Sequence, residues 1–346
     1  MKGSVIALGE VQGKRAAAWI VDGRLEDLLI DAGEDAPPAP GSIFRARGGR
    51  SLKGMGGALL DLPDGDKAYL RGNKGLKPGA PMLVQVSHIA EEGKAVPVTT
   101  RLLFKSKYAI VTPDAPGLNI SRQISEDEEL LRLHDLASEG MEGADETMGL
   151  ILRSACEGVS SDAIAEDIAA MRDLAEAVLA DEAGEPELLV AGADAWEAAW
   201  RDWPDADVFD DSEDAFENHG VHELIDAALD VRVPLKGAGY AFIEPTHAMV
   251  AVDVNTGGDF SPAAGLKANI AIARDLPRQL RVRGLAGQIT VELAPMAKKD
   301  RRQFEQSLKA AFKSEGGDVV LAGWTPLGNF EIQKKRSRVP IAELIA

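Results

Sequence analysis

The chain has a single cysteine, Cys156, among 346 residues, so an internal disulfide and a cysteine-built zinc site are both excluded. With no particular His tied to it, Cys156 reads as a small buried side chain and not as a nucleophile. Long apolar runs are also missing. No stretch reaches the roughly 18 apolar residues of a spanning helix, and no basic segment followed by an apolar run opens the chain. A soluble, cytoplasmic protein without membrane attachment is expected, in which Asn119-Ile-Ser121 has no role as a glycosylation acceptor. Nucleotide fingerprints are absent: Gly48-Gly49, Gly54-Met-Gly-Gly57 and Gly72-Asn-Lys-Gly75 lack Walker spacing and read as turns between short strands. His222-Glu223 has no second His at the zincin spacing, and His247 reads as a strand-end residue.

Cations are scarce. Lys and Arg number 38 against 56 Asp and Glu, a net charge of -18, which spread evenly would oppose indiscriminate nucleic-acid binding. The distribution is uneven. From Asp181 to Asp230 the only cation besides His is Arg201, whereas Lys267, Arg274, Arg278, Arg281, Arg283, Lys298, Lys299, Arg301 and Arg302 crowd a short later stretch. Such a surface suits an anionic polymer; an ordinary pair of solvated helices has the same signature.

The length fits two or three domains. Alternating strands open the chain, with a turn at Asp22-Gly23, and the run Asp35-Ala-Pro-Pro-Ala-Pro-Gly41 is a stiff linker. Short strands at close spacing follow to about residue 100, including Ala58–Leu62, Lys67–Leu70 and Met82–Val86, and predict a small barrel of OB type. Helices are expected over Glu126–Ser138 and Ser161–Leu179, the second capped by Ser160 or Ser161 with Ile164, Ile168, Met171 and Leu174 on one face. The stretch from Trp196 to Glu217 is acidic but studded with aromatics. From Asp253 the pattern is α/β, with Pro277 expected to kink one helix. A last long helix over about Lys298–Ser314 presents Phe304, Leu308 and Phe312, with Gly316-Gly317 as its stop.

Two segments carry the chemistry. Val250-Ala-Val-Asp-Val-Asn-Thr-Gly257 and Gln288-Ile-Thr-Val-Glu-Leu293 each read as a strand with valine or isoleucine on one face and a carboxylate on the other, Asp253 with Asn255 in the first and Glu292 in the second. Brought together, the two carboxylates would repel unless a hard cation such as Mg2+ lay between them. Two sheet strands with solvent-facing acids fit the same pattern.

These segments, with Asn269-Ile-Ala-Ile-Ala273, Arg278-Gln-Leu-Arg-Val-Arg-Gly-Leu-Ala-Gly287, Val291-Glu-Leu-Ala-Pro-Met296 and Gly328-Asn-Phe-Glu-Ile332, resemble the catalytic domain of the ribonuclease E/G family. Ile120-Ser-Arg-Gln-Ile124 and Gly149-Leu-Ile-Leu-Arg-Ser154 are similar to that family's 5′-end sensing region, so the resemblance covers nearly the whole chain.

The resemblance implies a multidomain α/β architecture: residues 1–40 as the first part of an RNase H-like domain, 41–104 as an OB-fold, S1-like RNA-binding domain, 105–185 as a 5′-sensor-like region, 186–235 as the second RNase H-like part, and 236–346 as a DNase I-like catalytic domain. It implies Asp253 and Glu292 as Mg2+ ligands, Asn255 as the residue orienting the scissile phosphate, and Arg153 with Ser154 as a 5′-monophosphate pocket. Arg122, Tyr69 and Lys267 join the expected substrate contacts. The chain departs from the family pattern at several positions. Glu292 stands where the family has Asp, Leu59 where it has a stacking aromatic, and Pro326 where it has a basic residue near the 5′-phosphate pocket. The Cys-bearing zinc link is missing, so any homo-oligomer would lack a zinc bridge.

The expected activity is therefore Mg2+-dependent endonucleolytic cleavage of single-stranded RNA in RNA processing or mRNA decay, leaving a 5′-phosphate and a 3′-hydroxyl. The alternative is an RNA-binding protein of the same fold with weak or no nuclease activity. A general Mg2+ phosphohydrolase for small substrates would leave the barrel and the sensor-like segment without a purpose.

Overall fold

Two-residue turns set the first strands in register. In the computed structural model, which describes residues 2–345 except 34–35, 53, 55, 73–75, 91–92, 262 and 316–317, β1 (Ser4–Val11), β2 (Lys14–Val21) and β3 (Arg24–Ile30) form an antiparallel meander. Both residues of each turn, Gln12-Gly13 and Asp22-Gly23, have positive φ, the twist that matches paired strands.

A closed barrel follows. It is built from β4 (Ile43–Leu52), β5 (Gly57–Asp61), β6 (Lys67–Arg71), β7 (Pro81–Val86) and β8 (Val96–Thr99) in the order β4-β5-β6-β8-β7, closed by β4 pairing with β7. Phe44, Ala46, Leu60, Ala68, Val84 and Val98 fill it. The arrangement is consistent with an OB-type domain. Gly48-Gly49, expected as a turn, lies inside β4 at a register shift. A Cβ on Gly49 would press on the Leu59 carbonyl, so the glycines permit the bulge that bends the strand around a small barrel. The other Gly-rich pieces fall partly outside the described residues.

Next come β9 (Phe104–Lys105), β10 (Ala109–Thr112), β11 (Gly117–Ile120), α1 (Asp127–Gly140), β12 (Gly149–Leu152) and α2 (Ser161–Ala180). The strands form a sheet in the order β11-β12-β10-β9. Ser160 accepts the Ala163 N–H as the cap of α2, and Ile164 and Ile168 are buried, with Met171 and Leu174 packed beside them. Cys156 is buried in the same core, and burial raises its thiol pKa to about 11.

After α2, β13 (Glu187–Val190) pairs with barrel strand β4. The chain rejoins β1 only at β14 (Val208–Asp210), which lies parallel to it. Between them α3 (Ala195–Asp202) begins with a capping box formed by Asp194 and Glu197. The chain accordingly divides into two compact units, Met1–Asp35 with Asp205–Ala346, and Ala36–Pro204. Four residues of β13 carry no local signal for a partner some 140 positions away; only the barrel edge they complete decides their place.

In the first unit, α4 (Ala215–Asn218) and α5 (Val221–Leu229) cover the opening sheet through Phe216, Val221 and Ile225. Gly9 on β1 leaves room for the Phe216 ring, which a Cβ would strike. Then β15 (Arg232–Leu235), β16 (Gly239–Pro245), β17 (Val250–Asn255), α6 (Ala264–Val282), β18 (Gly287–Glu292), α7 (Arg301–Glu315), β19 (Val319–Trp324), β20 (Phe330–Lys334) and the short α8 (Ile341–Leu344) complete the chain. The strands form a six-stranded mixed sheet, β15-β16-β17-β18-β20-β19. Phe304, Leu308 and Phe312 of α7 and Ala268, Ile272, Leu276 and Leu280 of α6 are buried in one core with Val250, Val252 and Val254. α6 remains a single helix through Pro277; the donor lost at proline is outweighed by the packing of its apolar face. The expected stop at Gly316-Gly317 lies outside the described residues. No helix among the described residues is long and apolar enough to cross a membrane.

Candidate active site

Strand alternation places the two carboxylates. On β17 the valines at 250, 252 and 254 are buried, leaving Asp253 and Asn255 half-buried on the opposite face. On β18, Ile289 and Val291 are buried and Glu292 is exposed. The two strands are parallel neighbours in a register that sets Asp253 directly beside Glu292. Asn255 Nδ2 donates to Asp253 Oδ2 at 2.8 Å, which fixes the carboxylate and leaves the second amide hydrogen of Asn255 free to donate elsewhere.

Two devices hold these strand ends. The turn from β15 to β16 passes so close to the end of β17 that a Cβ on Gly239 would collide with the Asn255 carbonyl, and Gly239 also has a φ of +97°. Beyond β18, Asn269 of α6 is 0% exposed and clasps the backbone of Ala294. Its Nδ2 donates to the Ala294 carbonyl at 2.8 Å, and its Oδ1 accepts the Ala294 N–H at 3.0 Å. A Cβ on Gly265 would collide with the Pro295 carbonyl. The first turns of α6 thus anchor the segment that leaves Glu292. Asn269 had no assigned role in the sequence reading, although a polar residue between Ala268 and Ile272 on a buried helix face was a usable signal.

Asp253 and Glu292 form no ion pair among the described residues, and no third His, Cys, Asp or Glu joins them as a metal cluster there. Two adjacent, uncompensated carboxylates fit a hard divalent cation that completes its shell with water and a substrate oxygen. Lys267 is exposed in the first turn of α6 and has no contact with either carboxylate. The basic stretch is less free than its composition implied. Arg278 binds Asp275 at 2.8 Å and the Leu25 carbonyl at 2.6 Å, and Arg281 pairs with Glu315 and donates to the Glu26 carbonyl at 2.7 Å. These arginines join α6 to the opening sheet, while Lys298 and Lys299, in the turn before α7, are exposed.

The remaining expected contacts lie in the second unit. The Arg153 guanidinium donates to the carbonyls of Ser106 at 2.6 Å, Lys107 at 3.2 Å and Arg201 at 2.8 Å, and to Asp202 Oδ1 at 2.9 Å. Asp202 also pairs with Lys105 at 2.6 Å and Arg201 at 2.9 Å. Burial works against its charge, yet hydrogen bonds from Arg201 and Lys105 prevail and hold its pKa down to about 2. A phosphate approaching Arg153 would have to displace this carboxylate. Ser154 is exposed beside it, and Arg122 is exposed in the turn after β11. Tyr69 of β6 is paired with Leu59 and lays its ring over Gly57, where a Cβ would meet it.

The chain is similar to known ribonucleases. The profile of the Ribonuclease E/G family matches residues 104–210 and 204–337. Ribonuclease G of Salmonella typhimurium is 26% identical over 396 residues, covering 95% of this chain and 79% of the relative. Ribonuclease G of Escherichia coli K12 is 25% identical over 391 residues with the same coverage. Ribonuclease E of a Nostoc species is 28% identical over 310 residues, covering 78% of this chain and 45% of the relative. The family match extends across both compact units and includes the strands that bear Asp253 and Glu292: the chain belongs to the ribonuclease E/G family.

Proposed function

We propose that this protein is a Mg2+-dependent endoribonuclease that cuts single-stranded RNA and leaves a 5′-phosphate and a 3′-hydroxyl. The observation that carries the reading is the side-by-side register of Asp253 and Glu292 on β17 and β18, in a chain that matches a family of ribonucleases. In this reading the first sheet with its two short helices is the RNase H-like part, the barrel is the S1-like RNA-binding part, and the six-stranded sheet with α6 and α7 is the DNase I-like catalytic part.

Asp253 and Glu292 would hold the ion. A divalent cation bound there supplies Lewis acidity at a phosphate oxygen and a water of lowered pKa. Asn255 orients Asp253 with one amide hydrogen and offers the other to the scissile phosphate. Water attacks phosphorus as the bond to the 3′-oxygen breaks and that oxygen takes up a proton, so the downstream product keeps the phosphate. Lys267, Lys298 and Lys299 balance backbone charge. Tyr69 gives an unpaired base a stacking surface, a contact worth about 1–3 kcal/mol that favours single strands. Ser154, Arg122 and Arg153 would meet the 5′ end, with Arg153 available only when Asp202 yields it.

End-labelled single-stranded RNA, incubated with Mg2+ and then typed with a 5′-phosphate-dependent exonuclease, tests substrate and end chemistry together. Internal cuts with 5′-phosphate ends are expected. Ends bearing a 5′-hydroxyl, or faster turnover of mononucleotides than of oligomers, would reject the reading.

A further inference from the structure

Arg283 is a charged residue in an almost fully buried position. It follows the last turn of α6, is 5% exposed, and its Nε donates to Gln279 Oε1 at 3.0 Å. Neither Nη group meets a protein acceptor among the described residues. A guanidinium keeps its proton in proteins, and one this largely buried without a paired carboxylate favours an anion at the Nη groups that still reach the cavity. Burial and the nearby Arg278 push the Arg283 pKa below its ordinary value, while Asp230 and Asp275 pull the other way without forming an ion pair with it.

The side chain lines a cavity of about 670 Å³ whose other charged walls are Arg24, Lys236, Arg274, Arg278 and Asp275. Asp275, the one carboxylate in that lining, is already engaged by Arg24, by Arg278 at 2.8 and 3.0 Å, and by Gln279 Nε2 at 2.9 Å. Lys236, Arg274 and Arg283 form no ion pair among the described residues, although Asp230 and Asp275 act on Arg283 from a distance. Three cations without an ion pair in one cavity contrast with a chain of net charge -18. Leu25, Leu224 and Val233 provide an apolar wall, and the volume suits a ligand of nucleotide size.

We infer that this cavity binds a small molecule bearing a phosphate monoester or a short polyphosphate, with Arg283 as the inner donor and Lys236 and Arg274 as outer cations. A terminal phosphate approaches from one side and carries more charge than a diester, so it can reach a buried guanidinium in forked geometry. A backbone phosphate of RNA, flanked by sugars on both sides, fits this enclosure poorly. The inference is independent of the nuclease reading: the cavity is lined by α6, whereas Asp253 and Glu292 point from the sheet face opposite the core that α6 covers.

Calorimetric titration of the full chain with ADP, inorganic phosphate, adenosine and a 5′-hydroxyl RNA decamer tests it. Saturable ADP binding, competed by phosphate and absent for adenosine, is expected, with affinity falling about tenfold or more in Arg283→Gln. The surface double variant Lys236→Gln/Arg274→Gln should weaken binding comparably, which keeps the test decisive if Arg283→Gln does not fold. Absence of saturable binding by ADP and phosphate, unchanged ADP affinity in both variants, or displacement of ADP by the decamer would overturn the proposal.

Discussion

Replacing Asn269 with alanine should loosen the strand end that carries Glu292. In the native chain the Asn269 amide satisfies both backbone groups of Ala294, at 2.8 and 3.0 Å, from a fully buried position. Removing it leaves an N–H and a C=O without partners in a dry site, at about 1–3 kcal/mol each before relaxation, so a net local cost of about 2–4 kcal/mol is expected. Hydrogen exchange reads that cost at the affected group and avoids assuming a single unfolding transition in a chain of two compact units. The Ala294 amide should exchange roughly 30 to 900 times faster in the variant, while the barrel amides of β4 and β5 keep their protection. Asn269 acts through the backbone, so under the proposed function the Mg2+ concentration for half-maximal cleavage should rise by about tenfold while RNA affinity holds. Unchanged protection at Ala294 would refute the clasp. Unchanged protection with lost activity would place Asn269 in a different role.

Other consequences are accessible to simple assays. Cys156 should resist alkylation in the native protein near pH 8 and react fully after unfolding; because its folded pKa of about 11 lies above the ordinary thiol value of 9.0, its contribution to stability is complete below pH 9 and fades as pH rises toward 11. Asp202, held at about 2 against an ordinary carboxylate value of 3.8, contributes about 2 kcal/mol above pH 4 that is lost as pH falls through 2, so Asp202→Asn should lower the neutral-pH stability of the barrel-containing unit and flatten its acid limb. Since Arg153 is occupied by three carbonyls and Asp202, 5′-monophosphate and 5′-hydroxyl RNAs should be cut at rates within about twofold of each other; a tenfold preference would mean that phosphate displaces Asp202. Gly265→Ala, which forces a Cβ against the Pro295 carbonyl, should destabilise the six-stranded sheet by about 1–3 kcal/mol, read as faster exchange along β18.

Local pattern revealed much of this molecule. The valines of β17 and the isoleucine and valine of β18 gave both strands and the faces of Asp253, Asn255 and Glu292, because a period of two is visible within six residues. The Ser160 cap and the apolar faces of α2 and α7 were equally plain. What stayed hidden was set by partners distant in sequence. The parallel register that puts Asp253 beside Glu292 depends on a crossover containing all of α6. The Glu26 and Glu315 contacts that occupy Arg281 come from β3 and α7, so counting cations overstated the free surface. Asp202 reaches Arg153 across 49 positions, and β13 joins the barrel for want of a partner that its own sequence could specify.

Whether Asp253 and Glu292 act as one metal site is decided by cleavage of an end-labelled, AU-rich single-stranded RNA by wild type, Asp253→Ala and Glu292→Asp, each with Mg2+ and with chelator. Metal-dependent cutting by wild type is expected, with its loss by at least about a hundredfold in Asp253→Ala and retained or increased activity in Glu292→Asp, where a carboxylate of the same charge remains. Cutting that persists in Asp253→Ala or in chelator, or tight RNA binding without any cutting even in Glu292→Asp, would contradict the shared site.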